Sequence, residues 1–457
     1  MRTLGAVILL LPLLSFIKIY EKKEALSPVN AFSAIYFLRV VIPAVMYSST
    51  GIAESISDSY VRNAVLTDST YLTYAVLQTI SYYCVVLGIR IRLTSRKYSL
   101  RIGNSYTLAS SYNSDEIKQE KYKHYLYWGI VFTIIGVIDF ILIIQKTGGF
   151  AYFFSHLQYR AVILRDLDLL SWLLIFLHYG PLLIVYSMRG QNKKISIWLF
   201  VLVIIAGFMC GLGGRKTMII MLIEMVVVYH FTVRKLTIKD VLRPRNILIL
   251  LLVFVYFSVM VRLRTEGAFE TFISNPFTFV NANSRRLSSI LTGESYVTYY
   301  MTVIEHFKTN ALWLGRSFLG LVTAFIPSSL YPAKPPVDDG MYLYSICMGR
   351  TDIIPPMATR SLNLSSYPLE TFGSMYANFG MVGLIIGMIL LGRIVNRSYR
   401  RIERRNYQVV DIIIYIQMLF SFELSTLRIF QVLETFIMLA VIVYFADRLK
   451  LSLGHRK

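Results

Sequence analysis

Continuous apolar runs constrain this chain most. They lie near residues 4–20, 29–47, 71–89, 125–144, 170–187, 195–211, 217–233, 246–261, 376–395, 407–422 and 428–446. Most approach the ~20 residues a helix needs to cross a hydrocarbon core. The runs are continuous rather than alternating, which excludes an outer-membrane barrel. The chain is 55% hydrophobic and only 16% charged over 457 residues, too little charge to cover a soluble surface of that size. The sequence therefore predicts an all-α polytopic membrane protein with about eleven transmembrane helices, ten to twelve being compatible with the pattern. We read the first run as a retained span, since no cleavage signal follows it.

The formal net charge of +21 does not point to nucleic acid, because its distribution follows the runs. Segments 18–23, 90–123, 189–194, 234–245, 393–405 and 448–457 hold 3, 8, 3, 5, 6 and 4 Lys or Arg, 29 of the 47. With eleven spans all six fall on one side, which the positive-inside rule makes the cytoplasm. The C-terminus is then cytoplasmic and the N-terminus outside. Three parts follow: an N-terminal bundle of about eight spans (1–261), a large extracytoplasmic loop (262–375), and a C-terminal bundle of about three spans with a cytoplasmic tail (376–457). Within the loop, residues 311–327 are apolar enough to enter a bilayer. A full crossing there would invert the charge rule, so a re-entrant or interfacial helix is expected. Residues 151–165 read as a second interfacial helix, with His156 and Arg160 on one face.

Candidate chemistry concentrates outside the spans. Gly213-Gly214-Arg215-Lys216 is a tight turn opening a helix. A helix N-terminus with a guanidinium suits phosphate, against the plainer reading of a snorkelling basic pair. Arg262 and Arg264 stand at the end of a span, as phosphate contacts or interfacial anchors. The stretch 355–370 offers a cation in Arg360 and a carboxylate in Glu370, the type of group that accepts a proton from a sugar hydroxyl. Asp338-Asp339-Gly340 reads as a turn rather than a metal site. Neither the six histidines nor Cys84, Cys210 and Cys347 show metal-ligand or redox spacing. No cofactor is expected. Arg39, Asp139, Glu224 and Asp411 fall inside spans, where each needs a partner. We expect Arg39 to pair with one of these acids.

The ordered set Gly148-Gly149-Phe150 with Arg160 and Arg165, Gly213-Gly214-Arg215, Ile326-Pro327 with Tyr331-Pro332-Ala333-Lys334-Pro335, and Gly373-Ser374-Met375-Tyr376-Ala377-Asn378-Phe379-Gly380 resembles the bacterial O-antigen and capsule repeat-unit polymerases, the Wzy family. The last segment resembles that family's Gly-Glu-x-Tyr-x-Asn-Phe-Gly pattern, with Ser374 where the family has Glu. The resemblance implies glycosyl transfer at the outer face of the cytoplasmic membrane. Polyprenyl-diphosphate-linked glycans would serve as donor and acceptor, with membrane lipid, a chain-length regulator and a flippase as partners. It also implies Arg215, Arg360 and Glu370 as catalytic residues, with Arg160, Arg262, Arg264, Lys334 and Tyr367 binding substrate and no metal. A glycan ligase acting on the same lipid is the nearest competing reading. A flippase or transporter is a further one, for which paired repeats and broken helices would be expected.

Overall fold

A computed structural model describes residues 1–20, 26–50, 67–91, 115–164, 167–190, 196–234, 244, 268–275, 294–324, 326, 330–363, 365–421 and 424–454. All regular structure among them is helical. The principal helices in chain order are α1 (Arg2–Ile19), α2 (Pro28–Ser49), α3 (Asp68–Arg90), α4 (Asp115–Lys146), α5 (Ile175–Ser187), α6 (Ile197–Gly211), α7 (Arg215–Thr232), α8 (Glu294–Thr309), α9 (Gly340–Cys347), α10 (Glu370–Arg404), α11 (Val409–Ser421) and α12 (Thr426–Gly454).

Among the described residues, seven segments are long and apolar enough to cross a membrane: α1, α2, α3, Tyr122–Lys146 of α4, Leu170–Ser187 ending in α5, α10, and Thr426–Phe445 of α12. This is a helical membrane protein by length and composition. α6, α7 and α11 coincide with apolar runs but are shorter. The run 246–261 lies outside the described residues, as do Arg262, Arg264 and Arg165.

The chain forms two compact units, neither continuous in sequence. The first takes Met1–Thr94, Arg285–Arg405 and Ile414–Ile437; the second takes Ser95–Ser284, Asn406–Ile413 and Met438–Lys457.

In the first unit α3 and α10 pack through glycine. A Cβ at Gly88 would come 2.1 Å from the Ile389 carbonyl oxygen, and one at Gly392 would come 2.2 Å from that of Val85. Small residues at both crossing points let the backbones touch, which is how packing and polar contacts hold helices together where no hydrophobic drive exists between them. Asn396 seals the seam, its Nδ2 donating to the Ile89 carbonyl at 2.6 Å. Pro28 opens α2, with Ser27 as its cap. α2 then widens into a π-turn over Phe37–Val41.

Helix α10 is broken once. Gly380 takes φ 64°, ψ −152°, a conformation open in practice only to glycine. The break frees the carbonyls of Ala377 and Asn378. They accept instead from the N–H groups of Trp313 and Leu314, at 3.0 and 2.9 Å. Asn378 reinforces this joint: its Oδ1 accepts from Gly315 N and Ser317 Oγ, both at 3.1 Å. The segment around residue 313 is thus fastened to the span by backbone pairing.

In the second unit α4 and α5 close at Gly136, whose added Cβ would strike Leu177. α6 and α7 form a hairpin, joined by Leu212 and Gly213, both left-handed at φ 43° and 79°.

Candidate functional site

Glu370 and Arg39 define the centre of the first unit. An Arg39 Nη2 donates to Glu370 Oε1, bridging two candidate spans. Arg39 therefore pairs with Glu370, the carboxylate expected to act as a base, where the sequence pointed to Asp139, Glu224 or Asp411. The side chains are 33% and 13% exposed. Both positions are irregular in backbone. Arg39 is the middle residue of the π-turn, a feature frequent at functional sites. Glu370 has φ 49°, uncommon for a residue with a Cβ. Such geometry persists only where the surroundings over-determine it.

Aromatic rings supply those surroundings. The Tyr296 ring lies 5.7 Å from the Arg39 guanidinium carbon, within cation–π range. Phe372 meets Tyr74 and Tyr300 edge-on or tilted, at 6.0 and 5.2 Å. Burial first, and the Glu370 carboxylate second, push the Tyr300 phenol well above its usual range, so it stays protonated. On the other side, Glu370 borders a cavity of about 30 Å³ lined also by Tyr36, Gln78, Ser81 and Tyr82. That is room for a water or two.

The segment 331–369 approaches this centre. Tyr367 stacks on Tyr299 with centroids 4.1 Å apart, and Tyr344 meets it edge-on at 4.8 Å. Its expected role in binding substrate is narrowed, since one ring face is already covered. Arg360 sits in the single turn Thr359–Ser361 with its side chain exposed. Thr359 fastens that turn to the Lys334 carbonyl through its N–H and hydroxyl, both at 3.0 Å. Arg350, ion-paired to Asp352 at 2.6 Å, braces it from the other side by donating to the Ser361 carbonyl. Lys334, expected to bind substrate, spends two donors on the carbonyls of Ala324 and Ile326, at 2.7 and 2.8 Å. Its ammonium is a structural clasp in this structure.

Asp339 was read in the sequence only as part of a turn. Asp338 makes that turn, accepting from Gly340 N at 2.9 Å. Asp339 is buried, and its Oδ2 accepts from Ser374 Oγ at 2.9 Å. A carboxylate from another part of the chain thereby lies next to Ser374. Of the other acids and the histidine on α8, Glu305 and His306 are engaged. Burial alone would raise Glu305, but Lys308 and Thr70 outweigh it and hold the carboxyl below its usual range. His306 is buried, and burial lowers its imidazole. The Glu294 side chain is outside the described residues. Sequence reasoning also passed over Arg428, buried, with its Nη2 on the Gln417 carbonyl at 3.0 Å and its Nη1 on Gln431 at 3.0 Å.

In the second unit, Arg215 is the first residue of α7, with Gly214 as its cap. Arg160 joins this turn, its Nη1 donating to the carbonyls of Gly211 and Leu212 at 3.1 and 3.2 Å. A guanidinium there complements the C-terminus of α6. Two separate sequence signals, Arg160 and the Gly-Gly-Arg turn, thus meet. The continuous helix expected over 151–165 is not formed. Phe150–Ser155 ends at His156, a tight 3₁₀ turn covers Leu157–Tyr159, and Arg160–Ile163 resumes. His156 turns back to the Tyr152 carbonyl, so it does not share a regular helical face with Arg160. Glu224, fully buried, pairs with His178 Nε2 at 2.7 Å.

No group of three or more His, Cys, Asp or Glu is arranged to hold a metal among the described residues. Comparison with protein-family models, with curated proteins and with solved structures finds no match for this chain.

Proposed function

We propose that this protein is a polysaccharide polymerase of the inner membrane, joining polyprenyl-diphosphate-linked oligosaccharide units at the outer face. The observation that carries the reading is the Arg39–Glu370 pair at the head of a candidate span, with aromatic rings around it and an exposed guanidinium, Arg360, on the adjoining segment. In this reading the chain has about eleven spans with the C-terminus in the cytoplasm, and residues 262–375 face outward.

The reaction has simple requirements. An acceptor hydroxyl attacks the anomeric carbon of the donor glycan as the bond to the lipid diphosphate breaks. The hydroxyl proton needs an acceptor, and Glu370 supplies a carboxylate held in place by Arg39. The departing diphosphate concentrates negative charge, which a guanidinium neutralises where it develops. The exposure of Arg360 and the two braces on its turn support that role. The Arg160–Gly214–Arg215 corner is proposed as a phosphate contact of its own in the second unit.

Deletion of the gene tests the reading. Single repeat units should remain on the surface anchor while the long-chain ladder disappears. Loss of both, with lipid-linked chains left in the membrane, would indicate a ligase. An unchanged ladder would refute polymerase and ligase alike.

A further inference from the structure

We propose that residues 313–324 and Ile326 are seated in the lipid bilayer, as a ledge fixed to the break in α10 that does not cross. Three observations converge. The first is exposure: Leu314, Leu319, Val322 and Ile326 are 67, 45, 74 and 39% exposed. Four large apolar side chains on so short a segment form a patch that water does not favour.

The second is continuity. Phe379, Met381, Val382 and Ile386 of α10, a candidate membrane span, are exposed along the same stretch where the ledge docks. Phe318 of the ledge faces Phe379 with parallel rings at 6.5 Å. The apolar surface of the ledge therefore extends the lipid-facing surface of the span, and the occupant that fits both is hydrocarbon.

The third is backbone accounting. Irregular chain enters lipid only where its polar groups are satisfied by protein. At one end the N–H groups of Trp313, Leu314 and Gly315 are taken by Ala377, Asn378 and the Asn378 side chain. Between the ends, Phe318, Thr323, Ala324 and Ile326 donate within the segment. At the other end Lys334 supplies donors to the Ala324 and Ile326 carbonyls. Arg316, exposed, has the length to carry its charge to the headgroups.

The unaltered full-length chain tests this in vesicles of phosphatidylcholine and phosphatidylglycerol containing a phospholipid with a diazirine in its acyl chain. After irradiation, peptide mapping should find adducts on residues 319–326 as well as on 379–386. Adducts on 379–386 alone would overturn the proposal. A spin label at Val322→Cys, with the parent chain's signal subtracted, gives a second measure. Its oxygen-to-nickel-chelate accessibility ratio should match that of Val382→Cys and exceed that of Thr351→Cys several-fold. A ratio like that of Thr351→Cys places the ledge in water. Shielding from both reagents places it under protein. Either result refutes the bilayer seat.

Discussion

Among the carboxylates that meet a basic partner, Glu224 and Glu370 differ most in how they are held. Glu224 is fully buried in α7, a regular helix, and accepts from His178 of α5. Glu370 is partly open, has a left-handed backbone, and is met by Arg39 from a π-turn. The first pair costs the fold nothing in backbone geometry, and hydrophobic side chains would replace it adequately. The second is held at the expense of two irregular backbone positions. Irregularity kept at a charged pair is a reason to test it as a site rather than as packing.

Activity separates the two pairs most sharply. Glu370→Gln keeps the shape and loses the proton acceptor, and Arg360→Ala removes the cation from an exposed turn. Each should lower polymer formation on the order of 10²–10³-fold with membrane-inserted protein unchanged, and Arg360→Lys should recover it partly. Glu224→Gln should leave the glycan ladder intact. Polymerisation by Glu370→Gln at the full rate would move the base elsewhere.

Stability gives the next contrast. Arg39→Ala leaves Glu370 without its cation and should cost about 3 kcal/mol in detergent unfolding. The double change Arg39→Ala with Glu370→Ala should cost less than the two single changes added. Additive losses would mean that the two side chains do not interact.

A smaller effect is expected at Ser374→Ala, which takes a donor from buried Asp339. Its cost should be about 1–2 kcal/mol in the same assay, with polymer reduced in proportion to folded protein. The smallest belongs to the regular pair. His178→Phe with Glu224→Leu should change stability by less than about 1.5 kcal/mol; a loss of 3 or more would show that this pair is not replaceable.

The helices were legible because apolar runs have only one way to satisfy their backbone in lipid. α10 was visible from its composition, and the Gly-Gly-Arg turn from its glycines. The pairing of Arg39 with Glu370 was not, since 331 positions separate them and no local pattern links them. The role of Asp339 was hidden likewise: its partner Ser374 is 35 positions on, and the short Asp-Asp-Gly signal is satisfied by the turn alone. The contacts of Lys334 were hidden for a different reason. A lysine in a polar segment looks available, and only the course of the chain shows that carbonyls at 324 and 326 have claimed it.

The joint at Gly380 also sets an order of events during synthesis. The N–H groups of residues 313–315 leave the ribosome before Ala377 and Asn378, the latter 63 positions behind Gly315. Until α10 has emerged and bent at Gly380, the receptor for the earlier segment does not exist. The earlier segment must wait, its donors served by water, and it locks only when the later span is in place. The late insertion of one bent helix is therefore the step that seats residues 313–315.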